Sequence, residues 1–175
     1  MDKLFNELNK LKDKHQQDFL SKLVPTVKKE NILGVKNPKI RELAKRMYKE
    51  DEKECIKYLK KLPHKYLEEY ILHTSILEQI KDYDFVVKEI DKILPYIDNW
   101  ATCDTYSPKI VKKHLDDFYK YLLKWVKSKK TYTVRFAIQN FMSFYFDEKC
   151  KMDGDQEKYI KEFTDIVTKI RFKSK

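Results

Sequence analysis

Apolar residues recur along most of this chain at the three- and four-residue spacing that places them on one face of an α-helix. Between residues 40 and 48 they stand at offsets 0, 3, 4, 7 and 8, which is the spacing of a single buried stripe. Asn37 suits the N-cap before this stripe, and Pro38 suits the first helical position. The pattern predicts a helix that buries Ile40, Leu43, Ala44, Met47 and Tyr48.

Similar stripes follow one another towards the end of the chain. They run through residues 55–62, 67–80, 86–97, 115–126, 134–145 and 159–170. Together with an amphipathic N-terminus they predict about eight or nine helices of ~10–16 residues, joined by short polar connections. In the stripe over residues 134–145, the predicted buried residues are Val134, Ala137, Ile138, Phe141, Met142 and Tyr145.

The turns that β-hairpins need are missing from the sequence. Only two glycines, Gly34 and Gly154, occur in 175 residues, and no Asn-Gly, Asp-Gly or Gly-Gly pair separates alternating apolar runs, which disfavours an all-β fold. Short connections pair antiparallel helices into hairpins, and hairpins at intervals of about 30–45 residues are typical of helical repeats. We predict an all-α fold, an α-solenoid of stacked hairpins, in a single domain over residues 1–175. A globular bundle of four to six helices is the alternative.

The balance of charge indicates the kind of partner. The chain has 38 basic and 28 acidic residues, a formal net charge of +10, and such an excess attracts polyanions through phosphate neutralisation. Because only four basic residues are arginines, a generally lysine-rich composition explains the charge equally well. No apolar run approaches the ~20 residues that cross a bilayer, and the N-terminus lacks a signal-peptide pattern. We expect a cytoplasmic monomer that does not bind membranes.

Most catalytic and metal-binding patterns are absent from the sequence. The cysteines are odd in number and far apart, which argues against a disulfide framework and a zinc site: Cys55, Cys103 and Cys150. The four histidines stand singly in the sequence. His73 lies in an apolar run and is predicted to be a core residue whose hydrogen bonds are satisfied.

The segment from Ile97 to Tyr106 is the most informative one chemically. Trp100 and Asp104 are four residues apart, so on a helix they lie on one face, about 6 Å from each other. An indole beside a carboxylate suits a cationic ligand, or a reaction in which positive charge develops. The alternative is a core tryptophan next to a helix-start carboxylate, with Asp98 and Asn99 as capping residues.

A second segment, residues 129–136, combines basic residues with a strong apolar stripe. Thr131, Arg135 and Gln139 share a polar face at positions i, i+4 and i+8. A guanidinium group can form two parallel hydrogen bonds to a phosphate or a carboxylate, which lysine cannot do. An internal ion pair of Arg135, with Asp104 as one possible partner, is the alternative.

Three segments of the chain together resemble the AlkD-like DNA glycosylases, a family of DNA alkylation-repair enzymes. They read N-I-L-G-V-K-N-P-K-I-R-E-L-A-K at 31–45, I-D-N-W-A-T-C-D-T-Y at 97–106 and W-V-K-S-K-K-T-Y-T-V-R-F-A-I at 125–138. They occur in the family's order and spacing and cover most of residues 15–148. The resemblance implies a superhelix of HEAT-like repeats with a basic concave face for double-stranded DNA.

The resemblance also implies a reaction, hydrolysis of the N-glycosidic bond of N3- or N7-alkylated purines without a metal or organic cofactor. Asp104 would stabilise the developing charge or orient the water, and Trp100 would pack against the deoxyribose. Arg135 would hold a phosphate near the lesion, with Lys129, Lys130 and Thr131 as further nucleic-acid contacts.

The chain departs from the family at its C-terminal end. Family members continue with at least one more helical repeat that adds an aromatic residue to the catalytic face, whereas no tryptophan follows Trp125 here. We therefore expect a C-terminally shortened member. Two further hypotheses follow: a non-catalytic DNA-binding scaffold, and a protein-interaction solenoid whose basic face is simply solvated.

Overall fold

The computed structural model describes residues 3–146 and 156–173, and these residues form ten α-helices. The helices are α1 (Lys3–Lys10), α2 (Lys14–Leu23), α3 (Asn37–Glu50), α4 (Glu52–Leu59), α5 (Leu67–Leu77), α6 (Tyr83–Ile93), α7 (Trp100–Cys103), α8 (Leu115–Trp125), α9 (Thr131–Tyr145) and α10 (Gln156–Lys173). Short 3₁₀ turns lie at Lys29–Asn31, Leu94–Tyr96 and Lys109–Lys113. No β-strand occurs in the described residues, and the all-α prediction is confirmed.

The chain divides into two compact units, Met1–Pro108 and Lys109–Lys175. The first unit contains α1 to α7, and the second contains α8 to α10. A single domain over the whole chain stays a prediction. In the described ranges, no helix has the length and apolar content that crossing a membrane would require.

Helix α5 is the centre of the first unit. Every residue of α5 except Tyr70 is buried, and helices α1, α3, α4 and α7 all pack against it. A helix with apolar residues around its whole circumference is typically buried on all sides. This arrangement fixes α3 and α7, the helix that carries Trp100, to one common core element.

Helix α3 confirms the stripe that the sequence predicted. Four of its five predicted positions are buried, and Tyr48 is half-buried. The predicted cap was wrong by one residue, because the helix begins at Asn37 and Lys36 occupies the N-cap without a side-chain hydrogen bond. Pro38 lies in the first turn, where its missing N–H costs no helical hydrogen bond.

The helix contacts of the first unit are consistent with a helical repeat fold, in which a helix packs both on its hairpin partner and on the next helix but one. Helix α3 contacts α4, but it packs more extensively against α5, the next helix but one. Since α4 has only eight residues, of which Cys55, Tyr58 and Leu59 are buried, it covers only part of the long stripe of α3. In the second unit the sequential pair α8 and α9 does pack together.

A buried carboxylate holds the loop that leads into α3. Glu68 of α5 is fully buried, and its two oxygens accept hydrogen bonds from the backbone N–H groups of Leu33 (2.9 Å), Gly34 (2.7 Å) and Val35 (3.2 Å). Consecutive backbone N–H groups that converge on one carboxylate form strong, charge-assisted hydrogen bonds. The loop before α3 is therefore tied to the central helix.

The second unit has an aromatic core. The buried face of α9 in this core is rotated relative to the face that the sequence predicted. Phe136, Phe144 and Asn140 are buried, whereas Met142 is 60% exposed and Ile138 is only half-buried. The predicted apolar face of α9 was therefore displaced by about one residue. The physical reason is the size of the aromatic rings, which occupy the space between helices.

Ring contacts and one polar side chain set this rotation of α9. The ring of Phe136 packs edge-on against Trp125, and that of Phe141 stacks on Phe163 with a centroid distance of 3.9 Å. Asn140 is accommodated in the core because its Nδ2 atom donates to the Phe136 carbonyl at 2.9 Å. Met142 and Phe146 instead line an apolar cavity of about 230 Å³ beside α10.

Candidate functional site

The Trp100–Asp104 pair lies on a single helical turn. Asn99 caps α7 through its side chain, which accepts from the Thr102 N–H at 2.8 Å. Asp104 follows α7 directly and keeps helical backbone angles, and its N–H donates to the Trp100 carbonyl at 2.8 Å. The one-turn separation predicted from the sequence is thus the geometry of the structure.

The two tryptophans of the chain have opposite environments. Trp100 is 37% exposed, while Trp125 is 3% exposed and belongs to the core of the second unit. The alternative that Trp100 is a core tryptophan is therefore wrong, and Asp104 follows the end of α7 rather than its start. Trp100 therefore offers a large exposed ring to a ligand, one helical turn from a half-exposed carboxylate.

Buried neighbours anchor this turn to the first unit. The residues between Trp100 and Asp104 are all buried, namely Ala101, Thr102 and Cys103, and α7 packs against α5. Tyr106 is also buried, and its burial raises the pKa of the phenol well above 10, with the charge of Glu78 adding to the effect. These buried residues hold the turn that carries Trp100 against the first unit. The tyrosine that follows the turn, Tyr106, is neutral at physiological pH.

Arg41 belongs to this site, although the sequence analysis missed it. Its Nη2 atom donates to the carbonyl of Thr105 at 2.7 Å and lies 3.7 Å from the Glu78 carboxylate. Thr105 directly follows Asp104, so a guanidinium group contacts the backbone one residue beyond the candidate catalytic carboxylate. The available signal was that Arg41 is one of four arginines and lies within the 31–45 segment.

The basic residues predicted to bind nucleic acid surround the start of α9 in the second unit. Lys129, Lys130, Thr131 and Arg135 are all exposed, and Lys130 is the N-cap residue of α9. Helix N-termini carry unpaired N–H groups and a partial positive charge that favour bound anions. Arg135 lies one turn further along, so the four residues form one basic helix end.

The sequence suggested that all four histidines stand singly, but two of them are in contact in the structure. His64 and His73 are nine residues apart, and their Nε2 and Nδ1 atoms lie 3.0 Å from each other. His64 also stacks on Tyr58, and its Nδ1 is 3.8 Å from the Glu69 carboxylate. His73 is buried as predicted; its Nδ1 is hydrogen-bonded to His64, and its Nε2 has no hydrogen-bond partner among the described residues.

His73 should make the stability of the protein depend on pH. Burial lowers the pKa of His73 well below 6.5, and the nearby charges of His64 and Lys92 lower it further. Below pH 6.5 the unfolded chain binds a proton that the folded protein does not. The free energy of unfolding is therefore expected to decrease as the pH falls, by up to about 1.4 kcal/mol per pH unit.

Urea unfolding between about pH 7.5 and pH 5.5 measures this dependence. His73→Leu should show a flatter pH profile than the wild type, whereas the matched control His15→Gln, at an exposed histidine of α2, should keep the wild-type slope. Equal slopes in the His73 variant and the wild type would contradict the assignment.

The cysteines that the structure describes are buried and form no disulfide with each other. They are Cys55 and Cys103, and burial raises the pKa of Cys55 to about 11. Cys150 lies outside the described residues. Across 3–146 and 156–173, no group of three or more histidine, cysteine or acidic side chains is arranged to hold a metal ion.

The protein is an all-α protein that carries an exposed indole and a carboxylate on one helical turn. The sequence profile of the DNA alkylation repair enzyme family matches residues 4–166, and the chain belongs to this family. The match includes α1 to α9 and much of α10. No curated protein and no solved structure matches the chain.

Proposed function

We propose that the protein acts in DNA alkylation repair by binding alkylated duplex DNA and hydrolysing the N-glycosidic bond of N3- or N7-alkylated purines. The observation that carries this proposal is the exposed Trp100 with Asp104 one helical turn away, in a chain of the DNA alkylation repair enzyme family. The resemblance noted in the sequence assigns this chemistry to the same two residues.

Charge supports the DNA-binding part of the proposal. A net charge of +10 favours association with a polyanion, with an affinity that falls steeply as salt increases. Arg135, Lys129, Lys130 and Thr131 would contact phosphates, because they combine a helix N-terminus with exposed cationic side chains. Such contacts fix the position of the duplex and carry no sequence information.

The chemistry requires little more than one carboxylate and a positioned water molecule. Alkylation makes the purine cationic, so when the C1′–N bond breaks, the bonding electrons neutralise the departing base. The sugar then carries oxocarbenium character, which the negative charge of Asp104 would stabilise. Water adds to C1′ and loses its proton to the solvent, while Trp100 packs against the deoxyribose. A base that leaves this readily need not be flipped into a deep pocket.

Release of methylated purines from alkylated duplex DNA tests the proposal. At saturating enzyme in a single turnover, Asp104→Asn is expected to release base at least ~100-fold more slowly than the wild type, because the amide keeps the shape but loses the charge. Duplex affinity, measured on the same samples, should be retained, since one carboxylate does not contribute phosphate contacts.

The matched control is Asp84→Asn, which removes the same charge at an exposed position of α6 in the same unit. This variant should release base at the wild-type rate. Equal rates for Asp104→Asn and the wild type would remove Asp104 from the mechanism. Salt-sensitive binding without base release by the wild type would favour a DNA-binding scaffold. Failure to bind duplex DNA at low salt would favour a protein-interaction role.

A further inference from the structure

The geometry points to Arg41 as a positioning residue for the Asp104 turn, an inference that rests on the proposed function of that turn. Arg41 and Thr105 are 64 residues apart in the sequence, and the hydrogen bond from Nη2 to the Thr105 carbonyl joins them at 2.7 Å. The inference is that this bond fixes the Thr105–Tyr106 peptide, one residue beyond Asp104, and so holds the Asp104 carboxylate one helical turn from Trp100.

The turn needs a contact from outside because its own secondary structure is short. Helix α7 has only four residues, and the helical conformation ends at the turn formed by Asp104 and Thr105. Thr105 itself contributes one local hydrogen bond, from Oγ1 to the Thr102 carbonyl at 3.0 Å. A backbone carbonyl beyond the end of a helix has no helical donor, so the guanidinium of Arg41 supplies one.

Arg41 is placed rigidly enough to act in this way. Its neighbour Ile40 is fully buried, and α3 packs along α5. The loop before α3 is tied to the buried Glu68 carboxylate by three backbone hydrogen bonds. The Glu78 carboxylate lies 3.7 Å from the same Nη2 atom and attracts the positive charge of the guanidinium. The planar guanidinium is pre-organised, so less conformational freedom is lost for each hydrogen bond that it forms.

A second arginine of the same helix provides a matched control. The side chains of Arg41 and Arg46 are both 48% exposed, and each has two acceptor groups nearby. Arg46 bonds to Glu7 of α1 and Glu50 of α3, and neither belongs to the Asp104 turn. Arg46→Gln therefore removes one exposed positive charge from α3 without touching the candidate site.

The test compares Arg41→Gln, Arg41→Lys and Arg46→Gln in the full chain. Two-dimensional NMR resolves the indole N–H signals of the two tryptophans, and Trp100→Phe identifies that of Trp100. Arg41→Gln should shift the Trp100 signal and speed hydrogen exchange at Thr105 and Tyr106. Arg41→Lys should do the same, since the shorter ammonium group keeps the charge but not the hydrogen bond. Arg46→Gln should change neither the Trp100 signal nor the hydrogen-exchange rates.

Base release and duplex affinity distinguish positioning from a general loss of stability. Arg41→Gln should slow single-turnover base release by about 10-fold, the value of one charge-assisted hydrogen bond, while thermal stability and duplex affinity stay close to those of Arg46→Gln. Arg41→Lys should be equally slow with wild-type affinity. If the Arg41 variants give the same Trp100 signal as Arg46→Gln, the inference is overturned; where the wild type releases base, release by the Arg41 variants at the Arg46→Gln rate overturns it as well.

The NMR measurement also separates this inference from the proposed function. If the wild type releases no base, the glycosylase proposal fails, and the Trp100 signal still decides whether Arg41 holds the turn. If base is released and the Trp100 signal is unchanged in Arg41→Gln, the positioning role fails while the proposed function stands.

Discussion

Replacing Glu68 with alanine is expected to lower the free energy of unfolding by about 3 kcal/mol or more. The carboxylate accepts from three consecutive backbone N–H groups, and both it and the three donor residues are buried. Without it, these donors have no acceptor, and each unsatisfied buried donor costs about 1–3 kcal/mol. Urea denaturation of the wild type and the variant at neutral pH measures the difference.

Two further variants make this prediction specific. Glu68→Gln keeps one acceptor oxygen but turns an NH₂ group towards a backbone donor, so its loss should be smaller than that of Glu68→Ala. Glu42→Gln changes an exposed glutamate of α3 and should stay within about 0.5 kcal/mol of the wild type. A Glu68→Ala protein as stable as the Glu42 control would show that the carboxylate does not anchor the loop.

Gly34→Ala is expected to destabilise the protein by about 3 kcal/mol, because it combines backbone strain with a steric collision. Gly34 has a φ of 82°, a conformation that residues with a Cβ adopt at a cost. A Cβ there would also collide with the carbonyl oxygen of Asp13 and lie 2.5 Å from the Gln17 nitrogen in the first turn of α2. Both obstacles are backbone atoms, which cannot move aside without displacing the helix.

A comparison with asparagine separates the two causes. Asparagine tolerates positive φ better than alanine does, so Gly34→Asn should recover stability only if strain is the main cost. We expect no recovery, since the collision with α2 remains. Lys36→Ala, at an exposed position two residues away, should have little effect. Denaturant unfolding measures all three, and a near-wild-type Gly34→Ala protein would refute the close approach.

The two predictions assign a structural role to the 31–45 segment. Gly34 allows the loop to pass close to α2, and Glu68 binds the loop from α5. Helix α3 therefore begins at a fixed point, and Arg41 is carried to the Asp104 turn. Residues 31–45, one of the three segments that resemble the DNA-repair family, thus contact the Asp104 turn through Arg41 and are themselves held by contacts with α2 and α5.

The sequence by itself determined the features that depend on local periodicity. The helical stripe of α3 and the cap at Asn99 follow from residue spacing and capping chemistry. The single-turn separation of Trp100 and Asp104 belongs to the same group, because residues i and i+4 of a helix are neighbours wherever the helix lies.

Tertiary structure alone decided which side chains meet and which face the solvent. Glu68 reaches backbone groups 33–35 residues earlier, Arg41 reaches a carbonyl 64 residues later, and His64 meets His73 only through the bend before α5. The rotation of α9 depends on aromatic rings from α8 and α10. Periodicity specifies a face of one helix, but these contacts depend on how several helices pack, and that packing is a property of the whole core.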